Sequence, residues 1–323
     1  MRLRPALLLL VAGLSAGVAD ARPRTGPFRI GMLTDSWGPT PSMVGLREGL
    51  IERGYREGEH FEIGVRFTQG DIAALPTAAR GLVGHGVDVI FVMGANAAKA
   101  ARAATTTIPI IFAGAVGDPV GLGLVESFAR PGGNITGVTD LDVDLAPKRL
   151  EIFREIAPGL RRVLFAYNPG DPYGVATARG YREAARRLGI VLVERLVHTE
   201  EEARALVKLR RGAVDGILGA STLSMNIPGF ILEAATQQGI PTMFNDAFWV
   251  ERSGALASYG PNLHESGRLA ARLVEKILKG ASPGSLPVEA NPKFELAINV
   301  KVSKRLGLSI APAVLFRAQR IVE

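Results

Sequence analysis

A pattern of 33 residues occurs twice in this chain, and it restricts the fold more than any other feature. VDVIFVMGANAAKAARAATTTIPIIFAGAVGDP runs from Val87 to Pro119, and VDGILGASTLSMNIPGFILEAATQQGIPTMFND runs from Val214 to Asp246. Each copy opens with a short apolar run and passes through small polar residues into a helix-like segment. Each then reaches Thr-Ile-Pro or Gly-Ile-Pro, enters a second apolar run and ends in a polar loop. Continuous Val/Ile/Phe runs of this length suit strands of a parallel sheet covered on both faces. The Ala-rich segment between them suits a helix packed closely on that sheet. In the first copy the spacing predicts strands over Val87–Val92 and Ile108–Ala113, a loop at Met93–Asn96 and a helix over Ala97–Ala104, which is one βαβ unit.

The upstream segments repeat as well. PSMVGLREGLIERGY at Pro41–Tyr55 parallels VATARGYREAARRLG at Val175–Gly189. The offsets are 135 (Gly45 to Gly180), 127 (Val87 to Val214) and 132 (Ile108 to Ile240). Three landmarks in order at nearly constant offset imply two Rossmann-like α/β lobes with parallel sheets. The first lobe is expected over 28–138 plus about 262–290, and the second over 145–258 plus about 292–323. The crossings between them, a multi-strand hinge, are read near Val138–Asp144 and Ser258–Pro261, the latter because Tyr259-Gly260-Pro261 looks like a turn. Thr199 with Glu202 reads as a capping box, and Pro312–Glu323 as a helix docked on a lobe.

Arg2 and Arg4, the apolar run Ala6–Val11 and the Ala19-Asp20-Ala21 cleavage pattern read as a secretory signal peptide, residues 1–21. The chain has no cysteine. Disulfides, thiol nucleophiles and cysteine metal sites are thereby excluded, and so is a lipoprotein anchor. The formal charge is +7, but its basic residues are scattered over helix faces, which describes a solvated surface and not a nucleic-acid groove. A soluble, monomeric periplasmic protein is expected.

Ligands of open parallel α/β sheets bind beyond the carboxyl ends of the strands. The candidates there are Asp35, Ser36, Trp37, Ala95, Asn96 and Asp118 in the first lobe, and Asn168, Tyr173, Ser221, Thr222, Asp246 and Trp249 in the second. Helix starts after Asn96 and near Pro172 offer backbone N–H groups to a carboxylate. The two tryptophans, Trp37 and Trp249, fall at corresponding strand ends and could sandwich a flat group. Asp118 and Asp246 could take an ammonium, and Asp118 before Pro119 is equally a turn former.

Enzyme signatures are weak. His60, His85, His198 and His264 lie far apart and show no metal-ligand spacing. There is no Walker A pattern, and the one G-x-S-x-G match, Gly13–Gly17, lies in the signal peptide. No cofactor or metal is expected.

GLREGLIERGYREGEHFEI, GDPVGLGLVESFARPGGNITGV, the Tyr167–Pro169 turn, GALASYGPNL at Gly254–Leu263 and KFELAINVKVSKRLGL at Lys293–Leu308 together resemble the ABC-transporter substrate-binding family that includes tryptophan-binding members. The resemblance spans Phe28–Leu308 and implies a type I periplasmic binding fold. It further implies closure of the two lobes around a small solute, an amino acid or aromatic compound, and delivery to an inner-membrane permease. The ligand loops it implies are Asp35–Trp37, Ala95-Asn96, Gly117-Asp118, Asn168, Ser221-Thr222 and Asp246. Relatives often carry an acidic residue and asparagine where this chain has Gly219-Ala220-Ser221-Thr222, and the Trp37 loop also departs, so the solute is not carried over. The same fold could instead present its solute to a receptor, and a secreted α/β enzyme is the remaining alternative.

Overall fold

The computed structural model describes residues 26–114, 116–210, 212–219 and 227–323. The signal-peptide reading and the candidates Ser221 and Thr222 lie outside these residues.

The chain begins with β1 (Phe28–Thr34), α1 (Pro41–Glu52), β2 (Phe61–Phe67), α2 (Leu75–Gly84), β3 (Val89–Val92), α3 (Ala95–Ala104), β4 (Ile110–Ala113) and β5 (Ile135–Thr139). It continues with α4 (Ala146–Ile156), β6 (Arg162–Tyr167), α5 (Pro172–Leu188), β7 (Val191–Leu196), α6 (Glu200–Ala205), β8 (Gly216–Leu218), α7 (Ile227–Gln238), β9 (Thr242–Phe244), α8 (Ala247–Glu251) and β10 (Ala257–Pro261). The last elements are α9 (Leu263–Leu278), β11 (Glu289–Ala290), β12 (Phe294–Asn299), α10 (Val300–Arg305), α11 (Pro312–Phe316) and β13 (Arg320–Val322).

Two sheets result. The first has the order β11-β5-β4-β3-β1-β2, and all its pairs are parallel. The second has the order β13-β12-β10-β9-β8-β6-β7, and only its β10–β12 pair is antiparallel. In the first lobe, alternate residues of each strand feed opposite cores. Ile30, Met32, Val89 and Phe91 pack toward α1 and α9, while Leu33, Ile90 and Val92 pack toward α2 and α3. In the second lobe one continuous core runs from Leu150 and Phe153 through Phe165 and Phe244 to Ile298.

The chain passes between the sheets three times: after β5, after β10 and between β11 and β12. The crossings are laced together. Asn291 N donates to Thr139 O (2.8 Å), Asn291 Nδ2 donates to Asn262 O (2.8 Å), and Asn262 N donates to Lys293 O (2.9 Å). Helix α9 returns to the first lobe and lies almost backbone to backbone on α1. A Cβ on Gly45 would sit 1.9 Å from His264 O, and one on Gly267 would sit 2.1 Å from Ser42 O.

Several local expectations are corrected. Tyr259-Gly260-Pro261 is not a turn but part of β10, so the second crossing falls at Asn262. The C-terminal segment is not one helix: after α11 the chain adds β13 to the edge of the second sheet, beside β12. Helix α3 begins at Ala95, inside the expected loop; α5 does begin at Pro172 as read, with Tyr173 in its first turn. The capping box at Thr199 and Glu202 forms as read.

Candidate functional site

Strand order fixes where the two sheets open. The order reverses between β1 and β3 in the first sheet and between β6 and β8 in the second, and such reversal points leave a crevice at the strand carboxyl ends. Asp35, Ser36, Ala95 and Asn96 flank the first crevice, and Asn168 flanks the second. Contacts show that the two ends face each other. Asp171 of the second lobe acts electrostatically on Asp35 of the first, and a Cβ placed on Gly117 would lie 3.3 Å from the Tyr173 ring.

On the first-lobe side, Ser36 Oγ donates to Gly38 O (2.8 Å) and shapes the turn after β1, and Trp37 beyond it is 52% exposed. Burial raises the Asp35 carboxyl above its ordinary value, with Asp171 adding to the rise and a backbone hydrogen bond opposing it. Gly94 has φ +86°, and among the described residues no side chain caps this start, so the first-turn N–H groups of α3 suit an incoming anion. Ala95 is buried at that start, and the Asn96 amide beside it is half-buried. Asp118 is exposed, and its Oδ1 accepts from Val120 N (3.1 Å) and Gly121 N (2.9 Å), which is a turn-forming arrangement.

On the second-lobe side, Asn168 Oδ1 accepts from Gly170 N (2.8 Å). The helix start near Pro172 is not open as expected, because Asp171 accepts from Tyr173 N and Gly174 N, both at 3.1 Å. Tyr173 is buried and donates its hydroxyl to Asp142, and Asn245 Nδ2 donates to the same oxygen at 3.1 Å. Burial first, then the charges of Asp142 and Asp140, push the Tyr173 phenol well above its usual range. Asp246 caps α8 by accepting from Phe248 N (2.8 Å). Burial pushes its carboxyl up to about 6, with Glu295 and Asp142 adding to the rise and the Phe248 amide and Arg320 opposing it.

The aromatics divide differently from the sequence expectation. Trp249 lies on α8 and not in a loop, and it stacks on Phe244 with ring centroids 5.1 Å apart. Phe248 packs edge-on against it and is itself 46% exposed. Trp37 and Phe248 are therefore exposed aromatics that follow strand ends, one in each lobe, and Trp249 packs against Phe248. Sequence reasoning missed Asp142 and Arg149, which tie the floor of the second-lobe crevice to the first crossing. The only available signal was an arginine within an otherwise apolar helical stripe.

Two mostly parallel sheets, three crossings and strand-end loops turned toward each other define a type I periplasmic binding fold. The chain belongs to the ABC transporter substrate binding protein family, whose model matches residues 39–322. It is 28% identical over 274 residues to a tyrosine-binding protein of Clostridioides difficile (strain R20291), covering 83% of this chain and 78% of that one. It is similar to the structure of an ABC domain in complex with L-Trp from Streptococcus pneumonia, with a TM-score of 0.83, 25% identity and coverage of 92% of this chain and 100% of that one. It is also similar to the ligand-free, open structure of a substrate-binding protein with adhesive properties from Clostridium difficile. There the TM-score is 0.64, with 26% identity and coverage of 91% and 99%. Among the described residues no helix is long and apolar enough to cross a membrane.

Proposed function

We propose that this chain is the extracytoplasmic solute-binding component of an ABC importer. It closes its two lobes around a zwitterionic solute with a flat side chain, an amino acid of the aromatic class, and hands it to a membrane permease. The reading includes the cleaved N-terminal signal, residues 1–21, a free monomer in the periplasm, and the division into lobes at 28–138 with 262–290 and 145–258 with 292–323.

The observation that carries the proposal is the polar chemistry at the strand ends of the two lobes. One lobe offers an uncapped helix start at Ala95–Ala97, suited to a carboxylate, and the other offers the Asp246 carboxylate, suited to an ammonium. Asp35 and Asn96 supply further polar contacts, and Trp37 with Phe248 supplies apolar faces. Closure is supported by the two solved relatives. At nearly equal identity, this chain superposes better on the L-Trp complex than on the ligand-free, open form. A two-lobed chain whose lobes had the open relation would show the reverse preference. A solute that touches both lobes only when they are together shifts the population toward the closed form by that difference in affinity.

A thermal-shift screen of the chain from Arg22 onward, unfolded and refolded to strip any carried solute, tests the proposal. A ligand at 100 times its dissociation constant adds roughly 2.7 kcal/mol to stability. A hit among aromatic amino acids supports it. A hit among sugars or purines keeps the binding role and removes the amino acid. Silence across amino acids, aromatic acids, peptides, purines and sugars overturns the contacts named above.

A further inference from the structure

The hinge contains a fully buried cation that the candidate site does not use. Arg149, near the start of α4, is 0% exposed. Its guanidinium is divided among three places in the chain. Nε donates to Tyr259 O at 2.5 Å, in the strand that leads into the second crossing. Nη2 donates to Asp142 Oδ1, in the first crossing, and Nη1 donates to Tyr181 OH at 3.0 Å, on α5. The other oxygen of Asp142 receives Tyr173 and Asn245, both at the floor of the crevice. Burial lowers the guanidinium's affinity for its proton, but Asp142 and the tyrosines more than offset this, so the group stays charged.

The segment this arginine holds is itself under tension. Between Asp140 and Asp142 the chain turns through Leu141 at φ +53°, a left-handed conformation unfavourable for a residue other than glycine. Asp140 Oδ1 accepts from Asp142 N at 3.2 Å across that bend. A bend of this kind persists only where its surroundings over-determine it, and the Arg149–Asp142 pair belongs to those surroundings. A planar fork can reach three acceptors in fixed directions at once, which a lysine ammonium on a flexible stem cannot do.

We infer that Arg149 is the positioning residue of the hinge. It sets the angle at which the first crossing leaves the second lobe, and through Asp142, which also binds Asn245, it holds Tyr173 where the first lobe's Gly117 loop meets the ring. Its effect on solute binding rests on the closure reading proposed above. Its effect on the lobe angle does not.

The absence of cysteine makes the test direct. Ala103→Cys on α3 and Glu183→Cys on α5 place one spin label on the exposed surface of each lobe, and pulsed dipolar spectroscopy reads their distance in the refolded, solute-free chain. Arg149→Lys is expected to broaden the distance distribution and move its maximum by more than about 2 Å. Tyr181→Phe, which removes one of three acceptors and keeps the ring, is expected to broaden it less. A folded Arg149→Lys protein with the parental distribution overturns the inference. Should Arg149→Lys fail to fold by circular dichroism, Tyr181→Phe decides: broadening supports the inference, and parental width overturns it. L-tryptophan titration is read separately, with affinity expected to fall roughly tenfold in Arg149→Lys as the binding-competent fraction shrinks. A shifted distance in Arg149→Lys, together with a parental chain that binds no L-tryptophan, removes that solute and leaves the hinge assignment standing. An unshifted distance with binding intact does the opposite.

Discussion

Replacing Asp246 by asparagine should make the empty protein more stable and the binding protein worse. The carboxyl sits near 6 instead of 3.8 because burial, aided by Glu295 and Asp142, disfavours its charge. Two pK units amount to about 3 kcal/mol against the ionised form at neutral pH. Asp246 keeps a minority of its surface exposed, so water recovers part of this, and a gain of about 1–2 kcal/mol is expected for Asp246→Asn at pH 7. Asparagine keeps the oxygen that accepts from Phe248 N, so the α8 cap survives. The pH dependence follows from the raised value. The favourable contribution of the wild-type group is complete below about 3.8 and is lost as pH rises through about 6. The gap between variant and parent should therefore be near zero at pH 4 and open fully by pH 7. Urea unfolding of refolded, solute-free protein at both pH values measures it. In the same variant, loss of a charge-assisted contact to an ammonium should weaken L-tryptophan or L-tyrosine binding by roughly 10- to 100-fold. A variant no more stable than its parent at pH 7, or a gap equally wide at pH 4, would refute the electrostatic argument. A stabilised variant with parental affinity would refute only the contact to solute.

The two tryptophans should separate cleanly. Trp37→Ala should leave unfolding almost unchanged and reduce affinity for an aromatic solute, while Trp249→Ala, losing its stack on Phe244, should cost about 3 kcal/mol in a denaturant titration. Gly267→Ala, which drives a methyl to 2.1 Å from Ser42 O, should destabilise the first lobe by about 1–3 kcal/mol, read as an earlier phase in thermal unfolding. Glu194 has the opposite sign to Asp246. Its hydrogen bond from Arg182 is the largest cause holding it below its ordinary 4.5, so Glu194→Gln should cost about 0.5–1 kcal/mol at pH 7. That difference should close as pH falls below 4.5, as measured by acid titration of unfolding.

The doubled βαβ pattern was legible because continuous apolar runs and Ala-rich helices are local properties of sequence. What escaped depends on distant backbone. Tyr259-Gly260-Pro261 has the composition of a turn, yet Gly260 is there because a Cβ would meet Asn245 O at 1.8 Å, a contact between β10 and the loop after β9. Strand β13 is three residues long, too short for a period, and exists only as a partner for β12. Arg149 differs from Lys148 in the sequence only by falling on the apolar stripe of α4, and the partners that satisfy it there, Asp142, Tyr181 and Tyr259, are distant in the chain. At the strand ends, what each side chain does locally was not legible in the sequence. Asp118 read as either a ligand group or a turn former, and in the fold its Oδ1 accepts from local backbone amides, as the oxygens of Asp171 do at the start of α5.

The return of α9 to α1 has a consequence for how this chain comes to be folded. Residues Ala270, Ala271, Leu273, Val274 and Ile277 complete the first-lobe core, although they lie more than a hundred residues beyond that lobe's β5. A chain emerging from its N-terminus therefore presents the first lobe with one face bare until residue 278 is free. The second lobe's strands β6 to β10 form a contiguous block that needs only β12 and β13 at one edge. The lobe made first must therefore wait, open and without its final helix, and the second gains its last two strands later still, so both are completed only when nearly the whole polypeptide has been released.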